Sequence, residues 1–147
     1  MSGDLEKAKT RLAKGDCTCV LRLGETEYIE TQRGVAPLLR HWEQQTDLRG
    51  FCAADKVVGK AAAMLYVLLC VREVYAAVLS EAAQKVLQAH GVEVICDTLT
   101  PAIRNRTDTG FCPMEQAVWT CDDPKEAPKR IYDAFEQLQK ANASKIQ

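Results

Sequence analysis

Residues 51–96 read FCAADKVVGK AAAMLYVLLC VREVYAAVLS EAAQKVLQAH GVEVIC. Three short apolar runs stand in this stretch: Phe51–Ala54, Val74–Leu79 and Val92–Cys96. Their length and their β-branched content suit buried strands. Between the first two, Val57–Cys70 is apolar nearly all round and contains Ala61-Ala62-Ala63. That pattern predicts a helix buried against a sheet. Ser80-Glu81 reads as a cap, and Ala82–His90 as a helix that Gly91 ends. Strands alternating with helices imply parallel pairing through right-handed crossovers.

Upstream, Leu5–Ala13 can form a short amphipathic helix with Asp4 as its N-cap, within an N-terminal helical segment 1–14. Cys17–Leu23 and Tyr28–Thr31 are rich in strand formers and flank Gly24-Glu25, which predicts an antiparallel hairpin. Val35, Leu38, Leu39 and Trp42 recur at helical spacing, with Pro37 in the first turn. Downstream, a polar loop is expected over Asp97–Phe111, then a helix Pro113–Trp119. Asp123-Pro124 opens a final helix with Ile131, Phe135 and Leu138 on one face, and the tail 142–147 is expected to fray. The expected fold is a three-layer α/β/α sandwich. Its mixed five-stranded sheet has an antiparallel N-terminal hairpin and parallel strands.

Composition agrees with one domain over 1–147. The chain has 147 residues, 47% hydrophobic and 27% charged. A formal net charge of −1 argues against a generally basic nucleic-acid binder, so no nucleic-acid partner is expected. The longest apolar run, Ala61–Val71, falls short of the ~20 residues a bilayer requires. With no signal-like apolar stretch near Met1, a soluble cytoplasmic protein is expected. The seven cysteines, Cys17, Cys19, Cys52, Cys70, Cys96, Cys112 and Cys121, form no C-x-x-C pair. Their odd count excludes a complete disulfide framework, and the reading is reduced thiols mostly in the core.

The strand order resembles the cytidine deaminase-like fold, and more closely an uncharacterised prokaryotic family with that fold. The residues that carry the resemblance are Arg33–Leu39, Ala54–Ala62 and Gly110–Glu115, supported by Ser80-Glu81 and Asn105-Arg106. It spans about Cys17 to Phe135. Deaminases of this fold use His/Cys-x-Glu and Pro-Cys-x-x-Cys motifs to hold zinc. At the corresponding places this chain has no His, Cys or Glu over Arg33–Pro37, and Cys52 is followed three residues on by Asp55. No metal ligand set and no cofactor are therefore expected. The resemblance also implies a homodimer.

In an open α/β sheet, ligands bind beyond the carboxyl ends of the strands. Three segments are expected to meet there: the turn after Phe51–Ala54, the turn at Ser80 and the loop after Cys96. The first carries Asp55, Lys56, Gly59 and Lys60 around an expected helix start, where free N–H groups favour an anion. Lys56 and Lys60, four apart, would share a face. The loop contributes Arg104, Asn105 and Arg106. Cys112-Pro113-x-Glu115 reads as a helix start, with Cys112 a candidate nucleophile and Glu115 an acid/base partner or a dipole-complementing residue. Cys52, expected near the carboxyl end of its strand, could meet Cys112.

Three functions follow. The leading one is binding of an anionic or nucleotide-like small molecule in a deaminase-type cleft without zinc catalysis. Lys56, Lys60, Arg104 and Arg106 would hold the anion, and Asp55 and Asn105 would bond its sugar or base. The alternatives are an enzyme using Cys112 or Cys52, assisted by Glu115 or Asp55, and a non-enzymatic interaction protein.

Overall fold

The computed structural model describes residues 2–104 and 112–146, with side chains to residue 141. The elements run α1 (Gly3–Leu12), β1 (Cys19–Leu23), β2 (Thr26–Glu30), α2 (Ala36–Glu43), β3 (Cys52–Val58), α3 (Lys60–Leu68), β4 (Glu73–Ser80), α4 (Glu81–Ala89), β5 (Glu93–Thr100), α5 (Pro113–Val118) and, after a 3-10 turn at Pro124–Glu126, α6 (Ala127–Ile146). The sheet order is β2-β1-β3-β4-β5. β1 pairs antiparallel with both β2 and β3, and β3, β4 and β5 run parallel. The expected mixed five-stranded α/β sheet is thus present.

The layers are unequal. Among the described residues α1 alone covers one face, burying Leu5, Ala8 and Leu12 against Val20, Cys52, Ala54 and Tyr75. The other helices share the large core on the opposite face, around Leu38, Met64, Leu65, Leu87 and Ile131. Hence α3 can be apolar all round, since it has neighbours on every side. Its Ala61, Ala62 and Ala63 allow the close approach that a crowded middle layer needs.

Several boundaries differ from the sequence reading. β3 continues past Ala54 to Val58, so Asp55 and Lys56 lie in a strand and not at a helix start. Lys56 N–H donates to Thr18 O at 3.2 Å, which prolongs the β1–β3 ladder by one residue. Asp55 and Val58 both face α3 although three residues apart, and Lys56 and Val57 between them are exposed. This breaks the two-residue alternation of a regular strand, as bulges beside functional sites do. β5 likewise runs on to Thr100, through residues read as loop. Ser2, not Asp4, caps α1, its Oγ accepting from Leu5 N–H at 3.2 Å. Ser80 caps α4 as expected, accepting from Ala83 N–H at 3.1 Å.

Candidate functional site

A cavity of about 370 Å³ opens at the carboxyl end of β3. Because β1 is antiparallel to β3, its first residues, Cys19 and the preceding Thr18, meet that end. Arg33, Gly34 and Val35 approach from the segment before α2, and Ile103, Cys112, Met114 and Glu115 from either side of the segment 105–111. Cys112 N–H donates to Ile103 O at 3.0 Å and ties the two sides together.

Asp55 is half-buried on the cavity floor. Tyr66 Oη, from the middle of α3, donates to its Oδ2 at 2.6 Å, and Cys19 Sγ lies 3.3 Å from the same hydroxyl. Burial pushes the Asp55 carboxyl up to about 6, against the pull of the Tyr66 hydroxyl and of backbone N–H groups. Burial also raises Cys19 and Tyr66 well above their usual values, so both remain protonated donors near neutrality. The result is a short chain, thiol to phenol to carboxyl, ending on an acid that titrates near neutral pH.

Glu115 explains Gly59. The carboxylate accepts from Lys60 N–H at 2.9 Å and Ala61 N–H at 3.3 Å, the first free N–H groups of α3. Gly59, the N-cap, has no side chain to do this. A Cβ at Gly59 would lie 1.9 Å from Glu115 Oε1. The backbone there is extended (φ −99°), so glycine is required for space and not for backbone freedom. Burial raises the Glu115 carboxyl, and the two N–H donors oppose that shift. Glu115 thus complements the dipole of α3 rather than that of its own helix. The anion that the α3 N-terminus attracts is the protein's own.

This changes the assignment of the candidate residues. Asp55, Lys56, Gly59, Cys112 and Glu115 line one cavity, as the sequence suggested. Lys60 does not join them, because its Nζ donates to Trp119 O at 3.0 Å. With Lys56 in a strand, the two lysines share no helix face. Arg104 is exposed and outside the lining, while Asn105 and Arg106 lie outside the described residues. The turn at Ser80 is also absent from the described lining.

Cys52 is the clearest correction. It is the first residue of β3 and packs under α1, on the opposite face from Asp55. Its Sγ lies 3.5 Å from Ser2 Oγ and 3.6 Å from both Glu73 and Arg72 side chains, so it cannot meet Cys112. Cys70, expected in the core, is exposed at the end of α3 with φ 62°. Among the described residues no group of three metal-ligating side chains converges. No helix among them is long and apolar enough to cross a membrane.

Residues 7–135 match a protein family described as a domain of unknown function, DUF1893. The chain belongs to that family. A solved relative, the DUF1893 family protein TM1506 from Thermotoga maritima, has a crystal structure at 2.70 Å. It superposes with a TM-score of 0.81 over 90% of this chain and 91% of that one, at 24% identity. This likeness is one of fold. No curated protein matches the sequence. In this DUF1893 chain, sequence reasoning missed Tyr66, Cys19, Thr18 and Arg33 at the cavity. Tyr66 offered a signal, as the one hydroxyl-bearing side chain in the otherwise apolar α3 segment following Lys60. A phenol in such a place needs a partner.

Proposed function

We propose that the chain binds a nucleotide-like small molecule in this cavity, a cleft of the cytidine deaminase type without zinc catalysis. The observation that carries the reading is the division of the cavity into two ends. Its floor presents the carboxyl group of Asp55, with Glu115 committed to α3. Its lining includes two exposed cations, Arg33 and Lys56, whose side chains have no ion-pair partner among the described residues. A heterocycle bearing N–H groups suits Asp55, and a phosphate suits Arg33 and Lys56. A volume of about 370 Å³ is in the range of small-ligand sites. The zinc positions that the fold resemblance implies are not supported by this chain's residues, since Cys52 and Asp55 face opposite sides of the sheet.

The ligand is held by Arg33 and Lys56 in place of the Lys60 clamp first expected. A thermal-shift panel of nucleosides and nucleoside monophosphates tests this. At least one monophosphate should raise the melting temperature, and its nucleoside should do so less. Lys56→Ala should weaken the monophosphate roughly ten-fold, the worth of one charge-assisted hydrogen bond. The bound ligand should also slow iodoacetamide labelling of Cys112, which lines the cavity, and leave labelling of the exposed Cys70 unchanged. No shift with any nucleotide, or an unchanged response in Lys56→Ala, refutes the assignment.

A further inference from the structure

We propose that a second groove, between α2 and α6, is an acyl-transfer site in which Thr46 is the nucleophile, His41 its base and Glu30 the carboxylate that fixes His41. The groove encloses about 750 Å³ and is lined by His41, Trp42, Thr46, Leu69 and Tyr132, among others. It is separate from the β3 cavity, with which it shares no lining residue.

The geometry is a continuous hydrogen-bonded chain. His41 Nε2 lies 2.8 Å from Glu30 Oε1, and His41 Nδ1 lies 3.1 Å from Thr46 Oγ1. Glu30 and His41 are 6% and 4% exposed, whereas Thr46 is half-buried and opens to the groove. Glu30 Oε1 faces His41 and its Oε2 accepts from Arg40, so its orientation is held from both sides. Tyr28 packs on the imidazole with ring centroids 5.3 Å apart. Because the Glu30 carboxylate accepts at Nε2, the neutral ring carries its proton on that atom. This leaves the Nδ1 lone pair facing the threonine hydroxyl, which then donates.

The backbone places Thr46 for this. Gln45 adopts φ 55°, in the left-handed region that a non-glycine residue rarely occupies. The chain therefore turns back after α2, and Thr46 N–H donates to His41 O at 3.0 Å. The next two residues, Asp47 and Leu48, also line the groove, and their N–H groups make no hydrogen bond among the described residues. Two adjacent N–H groups without a protein acceptor among the described residues, on the residues that follow the nucleophile, are the donors assigned to the oxyanion.

The step is a redox-neutral acyl transfer. Thr46 Oγ1 attacks the carbonyl carbon of an ester and forms a C–O bond, and its proton passes to His41 Nδ1. The tetrahedral adduct collapses, the bond to the alcohol oxygen breaks, and His41 returns the proton to that oxygen. Water then repeats the sequence on the threonyl ester, releasing the carboxylic acid and restoring Thr46. Half-exposed Trp42 and Tyr132 with Leu68 and Leu69 give the groove apolar walls, and Arg49 is already paired with Asp47. The substrate class is therefore an uncharged ester with an aryl or short alkyl acyl group.

The probe is p-nitrophenyl acetate with the full chain, read by p-nitrophenol release and by peptide mapping of the acetylated protein. Acetyl ester on Thr46 is expected. Thr46→Val should lower release roughly 100-fold with its melting temperature little changed, and Thr46→Ser should retain it. His41→Gln should behave as Thr46→Val does. Acetylation confined to Cys70 or to lysines overturns the proposal. So does a wild type that releases p-nitrophenol no faster than buffer, or release by Thr46→Val at the wild-type rate. Mapping of wild type quenched in acid during the first turnover, before water restores Thr46, decides the matter even if a variant fails to fold.

Discussion

Asp55→Asn should be more stable than the wild type at pH 7.5 and equal to it at pH 4. The carboxyl of Asp55 is raised from an ordinary 3.8 to about 6 by burial. A group whose folded pKa lies above its unfolded one adds stability below the unfolded value, and that stability is lost as pH rises through the folded value. The window is therefore about pH 4 to 6, and the shift corresponds to about 3 kcal/mol at most. Asparagine can still accept from Tyr66 Oη, so the hydrogen bond at 2.6 Å need not be lost. It removes only the cost of a carboxylate held away from water. Chemical denaturation at pH 4, 5.5 and 7.5 checks this. A variant less stable than the wild type at pH 7.5 would show that the ionised group supports the fold. A stabilising replacement that also abolishes nucleotide binding is the pattern of a residue kept for function at the expense of stability.

Gly59→Ala should destabilise by about 2 kcal/mol, roughly 4–8 °C in melting temperature. The new Cβ cannot share space with Glu115 Oε1, 1.9 Å away, and the carboxylate is the part that can move. Moving it leaves the N–H groups of Lys60 and Ala61 without their acceptor. Glu115→Ala should cost about 1–2 kcal/mol for the same reason, as the loss of a helix cap does. The double variant should cost no more than Glu115→Ala alone, because the three atoms nearest the new methyl, all of the Glu115 carboxylate, are then gone. Additive losses would show that Gly59 is needed for its backbone instead, against its ordinary φ of −99°.

Much of this site was legible because punctuation and chemistry coincide in it. Ser80, Gly91 and Pro113 mark helix ends in the sequence, and the structure places the ends within two residues of them. The position of Asp55, Lys56, Gly59, Cys112 and Glu115 around one cavity followed from the rule that parallel strands present ligands at their carboxyl ends. What failed was the extent of the strands. Asp55 and Lys56 are charged residues in the middle of β3, and polarity there imitates a helix start. Strand length is set by the neighbours β1 and β4, which the local pattern does not contain. That error also put Cys52 at the wrong end of β3 and hid that Cys52 and Asp55, three apart in one strand, face opposite sides of the sheet. The Glu30–His41–Thr46 chain was invisible for a related reason. It joins the end of β2 to the turn after α2, and only the packing of α2 on the sheet brings them together.

The most direct test of the nucleotide-binding account is a crystal structure with the nucleoside monophosphate that gives the largest thermal shift. Ligand density is expected in the β3 cavity, with an N–H edge of the heterocycle on the Asp55 carboxyl group and the phosphate at Arg33 and Lys56. Density elsewhere, or a cavity empty at concentrations that saturate the thermal shift, would contradict it.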